Sequence, residues 1–356
     1  MKKILVLFTG GTIGSEVDKC GTISVSKEKL LISLFLQQYP EYKDKVDFTH
    51  KTILDELSEN MTFDILAKLT ASLREVEWSD YDGVIITHGT DTLAYTANYL
   101  SILLANVKVP VVLVSSNQIL SNPNANGIQN FKGAVDLIDK NMAPGLYVTY
   151  NTAGITKVIY GSRLTQCESF TDDFNSITKL PLGVVDQYGD FTSVDKELMA
   201  KIINKDNNHK YDELISKIGL LNSKILLLNP FVGLNYDMLD LDNVDAILHT
   251  LYHSGTACTK GDRTNLLRFI EKCKTNDKDI YIGPIYGEDN RDVYESTADI
   301  LTAGGDIIMN CSAENAYVKL NVAYSIISDH KAREEFIYSD INNEFIIPSK
   351  QLIKRR

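Results

Sequence analysis

Thr12 sits in the stretch Thr9-Gly10-Gly11-Thr12-Ile13-Gly14-Ser15, directly after the apolar run Ile4-Leu5-Val6-Leu7-Phe8. A hydroxyl at the C-terminal end of a first strand occupies the place where open α/β sheets bind their ligands. The glycines around it let the chain turn sharply and bring backbone N–H groups close to such a ligand. Two common glycine-loop chemistries fail on spacing. A dinucleotide fingerprint needs glycines at relative positions 1, 3 and 6, and a phosphate loop ends in Gly-Lys-Ser/Thr, so Gly10, Gly11 and Gly14 serve neither. Thr12 is therefore a candidate nucleophile, and a threonine hydroxyl needs a base or a lowered pKa before it attacks a carbonyl at neutral pH. The bland alternative is a tight strand-to-helix turn with no chemistry.

A second stretch, Asp82-Gly83-Val84-Ile85-Ile86-Thr87-His88-Gly89-Thr90-Asp91-Thr92-Leu93-Ala94-Tyr95-Thr96-Ala97, again reads as strand, turn and helix start. Asp91 falls where a helix dipole favours an acid, and Thr90 lies beside it. The pair could also do no more than cap the helix. His88 reads as a packed turn histidine rather than a base.

The elements that must position these residues alternate along the chain. Strand patterns at Ile4–Phe8, Val46–Lys51, Gly83–Thr87 and Val109–Ser115 alternate with helical patterns at Lys27–Gln38, Thr62–Val76, Thr92–Asn106 and Gly127–Lys140. Such βα alternation predicts a mostly parallel sheet with helices on both faces. Gly145–Tyr150 and Val158–Tyr160 read as two further strands around the turn Asn151-Thr152-Ala153-Gly154. The polar patch Asn204-Lys205-Asp206-Asn207-Asn208-His209-Lys210 reads as a loop, after which strands resume at Ile225–Leu228, Ala246–Leu251, Ile280–Ile282 and Ile307–Met309, with a helix over Arg263–Lys272. The expected fold is α/β: a larger N-terminal domain (1–203) with a mostly parallel sheet flanked by helices, a linker (204–220), and a smaller C-terminal α/β domain (221–356).

Together, the two glycine-rich stretches resemble the bacterial L-asparaginase family of asparaginase/glutaminase type, with its TGGTI and HGTDT signatures some eighty residues apart. Ser58-Glu59-Asn60-Met61-Thr62 resembles the family's loop for the substrate carboxylate. The resemblance implies that Thr12 and Thr90 are catalytic and face the substrate. It also implies that Asp91 matches the acid that in relatives pairs with a lysine to activate the second threonine and also holds the substrate's α-amino group. It further implies that Gly11 and Gly89 line the site, that Ser58 hydrogen-bonds the α-carboxylate, and that Glu59 suits an ammonium group. Val114-Ser115-Ser116-Asn117-Gln118-Ile119 resembles the loop whose backbone carbonyl receives the substrate amide, which points to Asn117. Two positions depart from the family pattern. Gly161-Ser162-Arg163-Leu164-Thr165-Gln166 resembles its GxRxTK stretch, but Gln166 stands where relatives carry a lysine that helps activate the second threonine. Thr22, after Gly21, stands where relatives carry a lid tyrosine. A neutral amide neither loses a proton nor lowers a neighbour's pKa as an ammonium does, and a threonine hydroxyl is far less acidic than a phenol.

Composition sets outer limits. At 356 residues the chain is long enough for two domains, and 44% hydrophobic with 23% charged residues is ordinary for a globular protein. The net charge of −11 opposes general affinity for nucleic acid or an anionic membrane. Met1-Lys2-Lys3 begins like a signal peptide, but the apolar run after it is too short for one. Five scattered cysteines, an odd number, favour a reducing compartment, and the cytoplasm is expected. His249 and His253 would form a zinc pair only on a helix, and Ala246-Ile247-Leu248 before them reads as a strand. Glu288 and Asp289 form a candidate acidic loop, and Glu314–Leu320 a packing helix.

The function expected from the resemblance is hydrolysis of the side-chain amide of L-asparagine or a related amino acid by a threonine nucleophile, releasing ammonia without metal or cofactor. A homodimer or homotetramer is implied, because relatives complete each site from a neighbouring protomer. The two departures leave two alternatives open: an impaired homologue that binds an amino acid as a sensor, and an amidase with a specialised substrate.

Overall fold

The computed structural model describes residues 1–17, 23–25, 29–205, 209–287 and 294–346. Thr22, Cys20, Glu288 and Asp289 lie outside the described residues. The chain divides into two compact units, Met1–Leu220 with Ile341–Asn343, and the remainder from Leu221 onward.

In the first unit the elements follow in the order β1 (Lys2–Gly10), β2 (Ser15–Val17), β3 (Ile23–Val25), α1 (Lys29–Gln38), β4 (Val46–Glu56), α2 (Phe63–Arg74), β5 (Gly83–Thr87), α3 (Leu93–Leu103), β6 (Pro110–Val114), α4 (Gly127–Asp139), β7 (Gly145–Thr152), β8 (Ile155–Tyr160), β9 (Gly183–Val185), β10 (Phe191–Ser193), α5 (Lys196–Ile203) and α6 (Asp212–Ser216). The main sheet has the order β10-β9-β8-β7-β6-β5-β1-β4. Strands β4, β1, β5, β6 and β7 run parallel, while β8, β9 and β10 continue the sheet antiparallel. Every residue of β5 and β6 is buried, the pattern of strands covered on both faces.

The apolar runs at Ile4–Phe8, Gly83–Thr87 and Val111–Val114 fill the centre of that sheet, and Phe35 of α1 packs edge-on against Phe131 of α4 at 5.2 Å. Beside these rings Asp136, 2% exposed, accepts from the Tyr42 hydroxyl and from Lys132 Nζ at 2.7 Å, so the buried carboxylate is fully engaged. Strand β4 is longer than the sequence pattern suggests, because its pairing with β1 continues to Gly10 opposite Glu56. Residues 209–220 pack within this unit, where Arg74 Nη2 donates to the carbonyls of Ser216 (2.6 Å) and Ile218 (2.5 Å).

The second unit holds β11 (Ile225–Leu228), β12 (Ala246–His249), α7 (Leu266–Thr275), β13 (Asp279–Ile285), α8 (Glu295–Ala303), β14 (Asp306–Met309), α9 (Ala313–Ile326) and α10 (His330–Ile337), with a parallel sheet in the order β11-β12-β13-β14. Helix α7 starts three residues later than the sequence pattern, because the Asn265 side chain accepts from Leu267 N–H and sets the cap. The fold is the expected one: a larger, mostly parallel sheet flanked by helices and a smaller α/β unit. Among the described residues no helix is long and apolar enough to cross a membrane.

Candidate active site

Strands β1, β4 and β5 lie side by side and parallel, so the loops after them gather at one edge of the sheet. These loops carry Thr12, Ser58 and Asp91. Glycines set how closely they approach. Gly10 (φ +101°) lies so near β4 that a Cβ there would stand 2.4 Å from the Glu56 carbonyl oxygen. A Cβ on Gly11 (φ +77°) would stand 2.4 Å from Gly89 N, and one on Gly89 would stand 2.3 Å from Ser58 Oγ. The β1 loop is therefore packed backbone against backbone on the end of β4 and on the β5 loop, and Gly89 abuts the Ser58 side chain, approaches only glycine permits. Gly11 N–H donates to the Glu56 carbonyl at 3.0 Å, and Thr9 is stitched to Thr87 by two hydrogen bonds, Oγ1 to carbonyl at 2.5 Å and N–H to Oγ1 at 3.2 Å.

Thr12 opens a short 3-10 turn and is half-buried, as is Thr90. Ser58 is buried, and its hydroxyl accepts from Asp91 N–H at 3.2 Å and donates to Asp91 Oδ2 at 3.4 Å. Asp91 and Glu59 are exposed carboxylates on adjacent loops. The capping position of α3 is Thr92 rather than Thr90 or Asp91, and its hydroxyl donates to the Ser58 carbonyl at 2.8 Å. Thr92 thus ties the β4 and β5 loops together, a role its place in the Thr90-Asp91-Thr92 run could have suggested.

His88 is fully buried, and its Nδ1 lies 2.7 Å from the Gly89 carbonyl. A carbonyl only accepts, so Nδ1 carries the proton and Nε2 the lone pair. Burial away from water holds the imidazole below its ordinary range and keeps it neutral.

Asn117 lies after β6, the strand next to β5. Asn117 and Asn126 exchange hydrogen bonds, each backbone N–H donating to the other's side-chain oxygen at 2.9 and 3.0 Å. Asn117 Nδ2 also donates to Asp172 Oδ2 at 2.7 Å, and Asp172 Oδ1 accepts from the Tyr150 hydroxyl at 2.7 Å. Neither Asn126 nor Asp172 stands out in the sequence. Gln166 reaches the same neighbourhood from a distant segment, donating from Nε2 to the Asp91 carbonyl at 2.6 Å.

The histidine pair separates. His249 ends β12 in the core of the second unit, with Nε2 2.8 Å from the Tyr236 hydroxyl and Nδ1 2.6 Å from the Thr250 carbonyl, whereas His253 is exposed. No cluster of metal-ligating side chains occurs among the described residues.

The family description "Asparaginase, N-terminal" matches residues 3–197, more than half of the chain. Among curated relatives, a glutamyl-tRNA(Gln) amidotransferase component of Methanosarcina acetivorans is 33% identical over 193 residues, 53% of this chain and 44% of that protein. The protein of the same name from Saccharolobus solfataricus is 28% identical over 331 residues, 89% of this chain and 70% of its own. Among solved structures, the thermostable L-asparaginase from Thermococcus kodakarensis matches with a TM-score of 0.75 at 24% identity, covering 96% of this chain and 99% of that one. A probable cytoplasmic L-asparaginase from Campylobacter jejuni matches with a TM-score of 0.68 at 21% identity, covering 96% and 100%. At such identities the structural likeness speaks for the fold, and the family match for kinship: the chain belongs to the asparaginase family.

Proposed function

We propose that this chain is an amidohydrolase that cleaves the side-chain amide of L-asparagine or a related amino acid, with Thr12 as the nucleophile. The Thr12 hydroxyl oxygen attacks the amide carbon, the C–N bond breaks, and ammonia leaves with the hydroxyl proton. Water then cleaves the resulting ester, returning the threonine and freeing a carboxylic acid. Ser58 and Asp91 hold the amino-acid head, Glu59 adds a second carboxylate for its ammonium, and Thr90 and Asn117 face the amide. The observation that carries this reading is the glycine-set packing of three loops, Gly11 on Gly89 and Gly89 on Ser58, in a member of the asparaginase family.

One observation favours a second reading. Gln166 supplies a hydrogen bond to the Asp91 turn but no titratable proton, so it orients the head-group loop without relaying a proton in turnover. A sensor that retains the head-group contacts and hydrolyses feebly fits that geometry. The relatives named as amidotransferase components favour a third reading, an amidase for another amide, although a net charge of −11 opposes a nucleic-acid carrier. The setting we infer is the cytoplasm, with the chain assembled as a homodimer or homotetramer.

Ammonia release from L-asparagine and L-glutamine, paired with calorimetric titration of L-aspartate, separates these readings. Ammonia above background supports the amidohydrolase. Aspartate binding without ammonia selects the sensor, and neither selects a different amide.

A further inference from the structure

Two residues from near the far end of the sequence belong to the first unit and clamp the segment that carries Gln166. Asn342 is 2% exposed. Its Nδ2 donates to the Ser101 carbonyl at 2.9 Å, and its Oδ1 accepts from the Tyr160 hydroxyl and Lys205 Nζ, each at 2.6 Å. Its main-chain carbonyl accepts from Ser162 Oγ at 2.8 Å, and the next carbonyl, of Asn343, accepts from Arg163 Nε at 2.7 Å.

From this base the chain turns back along α3. Gly161 packs against Ser101 near the end of that helix, and the Leu164 carbonyl accepts from Asn98 at its middle (3.0 Å). Gln166 then meets the Asp91 carbonyl just before the helix begins. Ser162, Arg163 and Leu164 are at most 4% exposed, so the segment has no slack in a close-packed interior. Farther along, Thr165 N–H donates to the Asn175 carbonyl at 3.1 Å and the Arg163 carbonyl accepts from Ile177 N–H at 2.9 Å, so the base and these bonds together set the height of Gln166 along α3.

We propose that Asn342 is a positioning residue for the candidate site, registering the 161–166 segment so that Gln166 reaches the Asp91 turn. Its bearing on turnover rests on the proposed amidohydrolase reading, whereas its bearing on Gln166 does not. Side-chain ¹⁵N labelling of glutamine gives the Gln166 amide resonance, assigned by its loss in Gln166→Ala. In Asn342→Ala this resonance should shift, and its exchange with water should accelerate on the order of tenfold as the 2.6 Å bond loosens, while Gln38 on α1 stays unmoved. An unshifted, equally protected Gln166 amide overturns the proposal. Should Asn342→Ala fail to fold, Ser162→Ala removes one hydroxyl from the same clamp and is read by the same resonance with the same two outcomes. For turnover, Asn342→Ala should lower kcat by on the order of tenfold with KM little changed, and the loss should vanish in a Gln166→Ala background. Full additivity of the two substitutions would overturn it. Absence of ammonia from the parent protein would sink the amidohydrolase reading alone, leaving the Gln166 resonance to decide the positioning.

Discussion

Gly11 and Gly89 meet so closely that a methyl group on the first would stand 2.4 Å from the amide nitrogen of the second. The backbone there cannot retreat without opening the site, because Gly11 N–H is tied to Glu56 and a Cβ on Gly89 would itself meet Ser58. Gly11→Ala therefore combines a left-handed φ with a backbone clash. The conformational strain alone costs about 1–3 kcal/mol. We expect a lower urea midpoint and loss of aspartate binding by calorimetry. Retained affinity in the folded variant would show that the three loops are not the ligand site.

Asp91 bears on the head-group pocket. Asp91→Asn keeps the size of the side chain and removes its charge, so folding should be unaffected while amino-acid affinity falls by at least about tenfold. Equal affinities in the two proteins would leave Asp91 a purely local residue of the loop, paired with Ser58.

Gln166→Lys places an ammonium where an amide now meets the Asp91 carbonyl. General acid–base help is typically worth about 10²–10⁴ in rate, so ammonia release from asparagine should rise by at least about tenfold, and further with Thr22→Tyr. Robust turnover by the parent chain would mean that another group handles the proton. No gain in either variant would point to the sensor reading.

His249 supplies a pH signature in the second unit. Burial lowers its pKa from an ordinary 6.5 to about 4. Between these values the unfolded chain takes up a proton that the folded chain refuses, so stability declines as pH falls from about 6.5 to about 4. Over that window the loss is on the order of 3 kcal/mol. Urea midpoints of the parent and of His249→Asn, compared from pH 7 to pH 4, should converge as the pH falls. A constant gap between the two curves would refute the assignment.

Parallel strands buried on both faces announce themselves as apolar runs, which is why Ile4–Phe8, Gly83–Thr87 and Val111–Val114 are legible in the sequence. So are the loops at their ends, where paired glycines and hydroxyls have few other uses. Ends fixed by pairing or by a single cap are less visible: β4 runs on to Glu56 because β1 does, and Asn265 starts α7 late. Least visible are polar contacts between distant segments. Asn126, Asp172 and Asn342 carry no local pattern, because an asparagine that completes a buried network looks in sequence like any surface asparagine.

Residues 341–343 also bear on how this protein can be inherited or engineered. The stretch that the family description matches, 3–197, omits them, yet the Tyr160, Ser162, Arg163 and Lys205 side chains all find partners there. A gene cut after the first unit would strip the Tyr160 and Ser162 hydroxyls of these partners, a buried group left unsatisfied costing about 1–3 kcal/mol, while Lys205 keeps the Ala105 carbonyl and Arg163 keeps Asp195. The large unit is thus no detachable module. In this chain, a fusion or recombination that parts residues 341–343 from the first unit removes these contacts.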